Sequence, residues 1–374
     1  MTRPVVSVIV PLYNLRQFVA EAIESALAQT LPPDEVEVIV IDDGSTDGGG
    51  EVVERYLPRV RYFRQENRGL SAARNAGIRV ARAPSLTFLD ADDRILPEKL
   101  AVQLDVFAAR PDVGLVYSGW YYVDPAGVRL PQRGWPRLEG DVLAALVLGN
   151  LVHPHAPLVR REAVQRADGF DETLTSVEDW DLWLRITRAG VRWACVDAPL
   201  AEYRIRPDGM HRNAARMLDN RLRVLDKLFA DPTLSVHVRV LRPEAYQNAY
   251  VVAACDHWRA GDHAAAVSCF RKASAARPAM LAEPKTFRRV CRWLLPMGQQ
   301  NEAAVVQCWP ELAAGLRAML AGLFADGGGD LHRLRRPAAL AYWRTITRFR
   351  RKHLVTSVRR ALHRRAPRVA PYST

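Results

Sequence analysis

A chain of 374 residues, 49% apolar and 25% charged, has the composition of a soluble globular protein and room for two domains. No apolar run approaches the roughly 20 residues that cross a bilayer as a helix; the longest, 142–152, is broken by Gly149 and Asn150 and reads as a core helix. The net charge of +12 is uneven: no Asp or Glu follows Asp330, residues 331–374 carry 13 Lys and Arg, and the remainder holds 40 basic against 41 acidic residues. Cys195, Cys255, Cys269, Cys291 and Cys308 are scattered and never form C-x-x-C, which fits reduced thiols in a cytoplasmic compartment and gives no zinc signature.

The chain begins with a β-branched run, Val5 to Val10, that reads as a buried strand closed by Pro11 rather than as a signal peptide. Pro11-Leu-Tyr-Asn14 forms a loop, and Phe18, Ala22, Ile23, Ala26 and Leu27 recur at helical spacing over Gln17 to Gln29. Pro32-Pro33 breaks that helix. Val36 to Ile41 is a second strand, ending in Asp42-Asp-Gly-Ser-Thr-Asp-Gly-Gly49. Either carboxylate there closes a turn, or Asp43 accepts hydrogen bonds from a base or ribose. A third strand, Val60 to Arg64, leads into Glu66 to Ile78, where Gly69 turns the chain and Ser71 is placed to cap a helix.

The next apolar run, Leu86 to Leu89, delivers Asp90, Asp92 and Asp93 before Pro97 opens a helix. Three like charges in four residues are costly without a positive partner. If strand geometry continues, Asp90 and Asp92 share a face and Asp93 diverges. Hard oxygen ligands of this kind suit Mg²⁺ or Mn²⁺ completed by the phosphates of a nucleotide diphosphate, the ordinary alternative being an acidic turn that closes a strand. The repeated strand–helix–strand order predicts a mostly parallel α/β sheet with helices on both faces, so that the loops after strands 1, 2 and 4 converge on one crevice. No G-x-G-x-x-G follows either early strand, which argues against NAD.

Val113 to Ser118 reads as another strand, with Trp120, Tyr121, Tyr122 and Trp135 in loops beyond it, there for packing rather than sugar stacking. His153 and His155 precede a strand at Ala156 to Val159 and read as structural, the alternative being that either reaches the site. Asp168 to Glu172 is a turn. Leu182, Trp183 and Ile186 set a helix whose first turn holds Glu178 and Asp179. A capping box from Ser176 to Asp179 explains one carboxylate, but not acidic residues at 178, 179 and 181. From Asn213 onward the chain is Ala- and Leu-rich; Asn248 to Pro278 looks like one tetratricopeptide unit, read as a plain helical hairpin. Gly327-Gly-Gly329 is a break, and beyond it Leu340, Trp343, Ile346, Phe349, Val355, Val358 and Leu362 predict amphipathic helices with Arg opposite. That composition fits an anionic membrane surface; nucleic acid has no aromatic platform or recognised motif to support it. The expected division is 1–212, with halves 1–112 and 113–212, then a helical region 213–330 and a basic tail 331–374.

Ser7 to Asn14, Ile41 to Asp47, Glu66 to Gly77 and Phe88 to Asp93, in that order, resemble the successive motifs of family 2 glycosyltransferases over about the first 210 residues. The resemblance implies a GT-A fold and an inverting transfer from a nucleotide-diphosphate sugar to a glycan or lipid-linked acceptor, assisted by Mn²⁺ or Mg²⁺. It implies that Pro11, Tyr13 and Asp43 hold the nucleoside, that Asp90-Ala-Asp92 is the metal motif with Asp92 the surest ligand, and that Asp179 is the catalytic base. A helix N-terminus favours the ionised form of that base. Asp93 is unranked as a ligand. Tyr203-Arg204, Arg206 and His211 resemble the loop after the catalytic helix, where positive side chains meet the diphosphate, although relatives place a His sooner. Such an enzyme is expected on the cytoplasmic face of a membrane, in polysaccharide or glycolipid assembly. Two other classes are a phosphohydrolase of the haloacid dehalogenase type, which has Thr or Val where Arg94 stands, and a silent sugar-nucleotide-binding or scaffold protein.

Overall fold

The computed structural model describes residues 3–131, 134–295, 302–324, 335–345, 347–349 and 352. The chain divides into two compact units, Met1–Ala249 and Tyr250 onward.

In the first unit, β1 (Val6–Leu12) leads through α1 (Arg16–Leu27) to β2 (Val36–Asp42), then α2 (Gly49–Glu54), β3 (Val60–Arg64), α3 (Leu70–Val80), β4 (Ser85–Phe88) and the short β5 (Arg94–Ile95). After α4 (Lys99–Ala109) come β6 (Val113–Val123), α5 (Leu143–Val147), β7 (Pro157–Arg160), α6 (Arg161–Arg166), α7 (Glu178–Arg188) and β8 (Arg192–Arg204). The eight strands form one sheet in the order β3-β2-β1-β4-β7-β6-β8-β5. Pairings are parallel from β3 to β4 and between β6 and β8, and antiparallel where β7 joins β4 to β6 and where β5 joins β8. The sheet is therefore mixed, with a parallel half carrying the nucleotide-side motifs.

Val6 to Leu12 is buried at every position, as a central strand covered on both faces requires. The strand runs through Pro11, which pairs with Ile41, instead of ending there. Parallel strands direct successive residues to alternate neighbours: Ile9 C=O accepts from Leu89 N–H on the β4 side and Leu12 C=O from Asp43 N–H on the β2 side. Pro11 thus faces the β4 side, where pairing stopped at Ile9–Phe88, so its missing donor breaks no ladder. Helix α3 lies close enough on β1 that a Cβ on Gly77 would meet Ile9 Cγ2 at 2.3 Å. The loop after β1 is tied to the loop after β2, Asn14 N–H donating to Ser45 Oγ at 3.1 Å and Thr46 N–H to Asn14 Oδ1 at 2.8 Å.

Trp120, Tyr121 and Tyr122 belong to β6 rather than to loops, because β6 continues five residues beyond the predicted end and pairs with β8 along its length. Tyr203 and Arg204 likewise end β8, a strand the sequence reading did not anticipate. Three further helices close the unit or leave it: α8 (Ala214–Ala230), α9 (Val236–Arg239) and α10 (Arg242–Arg259).

The second unit is helical: α11 (His263–Ala276), α12 (Pro284–Trp293), α13 (Glu302–Gln307) and α14 (Trp309–Phe324). Gly261, at φ +82°, turns the chain after α10, and Asp262 accepts from Ala265 N–H to start α11. Phe270, Met280, Phe287, Cys291, Leu316 and Met319 form its core. Residues 335–345 are helical, with Ala338, Ala341, Tyr342 and Thr345 buried and Leu340 and Trp343 54% and 58% exposed beside Arg336 and Arg344. The predicted apolar face is thus divided: Phe349 packs inward against Trp309, ring centroids 5.2 Å apart, while Leu340 and Trp343 point outward among the arginines. Residues 340 and 343 lie one turn apart on one side of the helix, and 338, 342, 345 and 349 recur on the other. Ile346, Val355, Val358 and Leu362 lie outside the described residues. No helix among the described residues is long and apolar enough to cross a membrane, and all five cysteines are free.

Candidate active site

Strand β4 stops at Phe88, and the chain turns over Asp90 to Asp93 with Asp93 N–H donating to Asp90 C=O at 3.0 Å. In a turn the alternation expected of a strand does not hold, and each carboxylate meets a different partner. Asp90 Oδ1 lies 2.5 Å from Arg74 Nη2, and Asp92 Oδ2 lies 2.7 Å from Arg206 Nε. Asp93 points into the protein, 2% exposed, its Oδ1 accepting from Arg204 N–H at 2.7 Å. Its Oδ2 lies 2.9 Å from His155 Nδ1, without the alignment of a hydrogen bond. Burial drives both members of that pair toward neutrality, lifting Asp93 well above the carboxylate range and lowering His155 to about 4. Asp93 therefore supports the turn from behind, while the side chains of Asp90 and Asp92 remain 22% and 19% exposed. Burial, then the charges of Asp93 and Asp90, raise Asp92 to about 7 against the pull of Arg206. The repulsion expected from three crowded acids is present, and arginines reduce it without cancelling it.

The second acidic cluster opens α7. Ser176 does not cap this helix: its Oγ is buried with no hydrogen-bond partner, and Val177 occupies the cap position at φ +54°. A left-handed β-branched residue costs on the order of 1–3 kcal/mol, strain held where the candidate base begins. The three acids have three separate partners. Glu178 Oε1 pairs with Arg74 Nη1 at 2.5 Å, and Asp181 with Arg185 Nε at 2.7 Å and Lys227 Nζ at 3.0 Å. Asp179 accepts from Trp180 N–H at 2.8 Å and from Asn150 Nδ2, 3.0 and 2.9 Å from its two oxygens. The helix N-terminus does not keep Asp179 in the ordinary carboxylate range; burial and then the neighbouring Glu178 raise it to about 7.

Helix α3 brings the two clusters together. Arg74, fully buried, spends one end of its guanidinium on Asp90 and the other on Glu178. The next residue, Asn75, grips the turn before α7, accepting from Phe170 N–H at 2.8 Å and donating to Phe170 C=O at 2.9 Å. Sequence reasoning quoted both residues within a motif and gave neither a role. The available signal was an arginine among small residues on a helix that must pack against a strand, since a buried arginine has to be paired. Ser71 does not cap α3 either: Gly69, at φ +91°, precedes the helix, and Ser71 Oγ donates to Leu174 C=O at 3.4 Å.

Asp43 shapes the loop that leads into α3. Its carboxylate accepts from Gln65 Nε2 at 2.7 Å, Arg68 N–H at 3.0 Å and Gly69 N–H at 2.8 Å. Tyr13 is 49% exposed just beyond β1, and Pro11 is buried within it. On the other side of the acidic turn, His153 stacks on Tyr203 at 4.4 Å and meets the Tyr122 hydroxyl at 3.1 Å. A separate depression of about 570 Å³, lined by Asn14, Arg16, Gln17, Asp47 and Arg55, contains none of Asp43, Asp90, Asp92 and Asp179. His211 falls in the short turn Met210–Arg212, and its side chain lies outside the described residues.

Asp90 and Asp92 suit a divalent cation of the Mg²⁺ or Mn²⁺ class. They are hard oxygen donors two residues apart, and an arginine engages one oxygen of each, leaving the other. No group of three or more His, Cys, Asp or Glu among the described residues is arranged to hold an ion unaided. Such an ion would be completed by oxygens from a ligand, as this cation class commonly is.

A mixed open sheet with acidic turns at the carboxyl ends of its parallel strands defines an α/β protein. The solved structures agree on the fold, which is GT-A. TarS of S. aureus, residues 1–349, superposes with a TM-score of 0.56 at 17% identity, covering 89% of this chain and 90% of that one. A mannosyltransferase from Pyrobaculum calidifontis, in complex with GDP-Man and Mn²⁺, superposes with a TM-score of 0.52 at 21% identity, covering 87% and 88%. Residues 7–166 match the family model "Glycosyl transferase family 2". An uncharacterized glycosyltransferase of Rickettsia bellii is 34% identical over 192 residues, 50% of this chain and 28% of the relative. The chain thus spans about a third or less of the length of the first curated relatives it matches. Asp179 lies beyond the matched segment.

Proposed function

We propose that this chain transfers a sugar from a nucleotide-diphosphate donor to a hydroxyl of a glycan or lipid-linked acceptor, with inversion at the anomeric carbon. The observation that carries the reading is Arg74, whose one guanidinium joins the acidic turn after β4 to the first turn of α7. Donor chemistry and acceptor chemistry need positive and negative groups on two sides of one reacting centre, and this contact draws the two clusters together.

Asp179 is the base. It takes the proton of the acceptor hydroxyl as that oxygen attacks the anomeric carbon and the bond to the diphosphate breaks. A pKa of about 7 suits a group that must hold and release a proton near neutrality. When bound at Asp92 and Asp90, Mn²⁺ or Mg²⁺ supplies Lewis-acid neutralisation of the departing diphosphate. Arg206, paired with Asp92, adds a fixed positive charge on the same side. Tyr13 and Pro11 border the nucleoside. Asp43 acts there mainly by holding the 65–69 loop, and a carboxylate's roughly four acceptor sites leave one for a ribose or base. On this reading residues 1–212 carry the transfer, within the compact unit that runs to Ala249, and the helices of the second unit and the basic stretch from 331 follow it. The outward Leu340 and Trp343 with Arg336 and Arg344 support docking on an anionic membrane at its cytoplasmic face, where a lipid-linked acceptor would be met.

Incubation with a panel of nucleotide-diphosphate sugars, with and without Mn²⁺, tests the reading. Metal-dependent release of nucleoside diphosphate with sugar transfer is expected. Free inorganic phosphate without transfer would indicate a phosphohydrolase, and tight donor binding without release a silent binding protein.

A further inference from the structure

We infer that Asn150 is a positioning residue for this reaction, aiming the Asp179 carboxylate and favouring its proton-accepting form. The inference rests on Asp179 being the base. Asn150 Nδ2 lies 3.0 Å from Oδ1 and 2.9 Å from Oδ2 of Asp179. Oδ1 also accepts from Trp180 N–H at 2.8 Å, so Oδ2 is the less committed oxygen and the one that receives the proton. Two hydrogen bonds from different elements fix the carboxylate plane, because rotating the group would break both at once.

Asn150 is itself held in register. The Trp180 indole, next to Asp179 on α7, donates to Leu146 C=O at 2.7 Å in α5, and Asn248 donates to Leu148 C=O at 2.9 Å. The segment from α5 to Asn150 is therefore anchored at its peptide carbonyls, and the amide arrives beside Asp179 without a search. This accounts for a polar residue at the end of an otherwise apolar run, 142–152.

The choice of an amide also follows from the charges around the base. Glu178 adjoins Asp179 on its own helix and Arg74 faces it from α3, while α5 contributes no titratable side chain. Burial and Glu178 raise the carboxylate; Asn150, Arg74 and the Trp180 N–H oppose them. A lysine in place of Asn150 would form an ion pair and weaken the base. A neutral donor orients it and leaves it basic.

The test is the pH dependence of kcat/KM at saturating Mn²⁺ for Asn150→Leu, Asn150→Asp and Asn150→Ser, with nucleoside diphosphate affinity measured by calorimetry. For Asn150→Leu the acid limb should move up by about one unit, with the high-pH plateau lowered as well because the carboxylate loses its aim, and with nucleotide affinity within about twofold. Asn150→Asp, which adds a like charge at the same distance, should move it further, and Asn150→Ser should recover part of the shift. An unmoved limb in the variants that fold, with or without a lower plateau, would overturn the inference. Wild-type rates in Asp179→Asn would instead remove the base assignment itself. An inactive Asp179→Asn beside Asn150 variants with an unmoved limb would defeat this inference alone.

Discussion

The two halves of the first compact unit build their share of the candidate site in different ways. Up to residue 112, each acidic residue follows a parallel strand directly: Asp43 after β2, and Asp90 and Asp92 after β4. Beyond residue 113, Asp179 stands at a helix start whose place is set by side-chain contacts reaching about a hundred residues back, Arg74 to Glu178 and Asn75 to Phe170. Backbone topology places the first set, and α3 places the second. On the proposed function, a site made this way is robust on its donor side and depends on one helix on its acceptor side.

The largest expected effect falls on the base. Asp179→Asn should lower kcat by about 10²–10⁴-fold while leaving nucleotide affinity intact. In the wild type, activity needs this group deprotonated, so it should be present above, and lost as pH falls through, about 7; the substitution should abolish that limb in any residual rate. Asp92→Ala sharpens the other side of the comparison. It should remove the Mn²⁺ dependence of turnover and weaken donor binding as well, a pattern that kinetics and calorimetry separate from the Asp179 defect.

Arg74→Met breaks the tie between the halves. Removing one partner of a buried ion pair costs about 3–5 kcal/mol, so denaturant unfolding should show a large loss, smaller in Arg74→Lys. Unchanged unfolding would mean that α3 does not set the second half. Asn75→Ala, which strips the hydrogen bonds on the turn before α7, should cost about 1–3 kcal/mol and reduce transfer more than nucleotide binding. The smallest effect belongs to the second unit. Arg344→Ala should weaken sedimentation with anionic vesicles by about fivefold and leave transfer to a soluble acceptor unaltered.

This contrast also explains what the sequence disclosed. Val6–Leu12 and Val36–Asp42 were legible because β-branched runs buried on both faces leave a strong apolar signal. The acidic turn was legible because its charges are adjacent. Asn150 was not, because it lies 29 residues from the carboxylate it holds. Nor was the failure of Ser176 to cap α7, because Val177 in a left-handed conformation breaks the local rule that made a cap the natural reading. Strand β8 was missed because its inner part, Val196 to Pro199, mixes Asp and Pro into the run. Pro11 misled in the opposite sense: which neighbour a strand residue faces depends on where the adjoining strand stops, and that is a tertiary fact.

The most direct test of a shared centre is a crystal structure of the full chain with a nucleoside diphosphate and Mn²⁺, with the ion located by its anomalous signal. The account predicts an anomalous peak within coordination distance of the Asp92 carboxylate, the diphosphate oxygens on its other side, and Asp179 facing the same opening. A peak away from Asp90 and Asp92, or a nucleotide bound where Asp179 cannot face it, would contradict it.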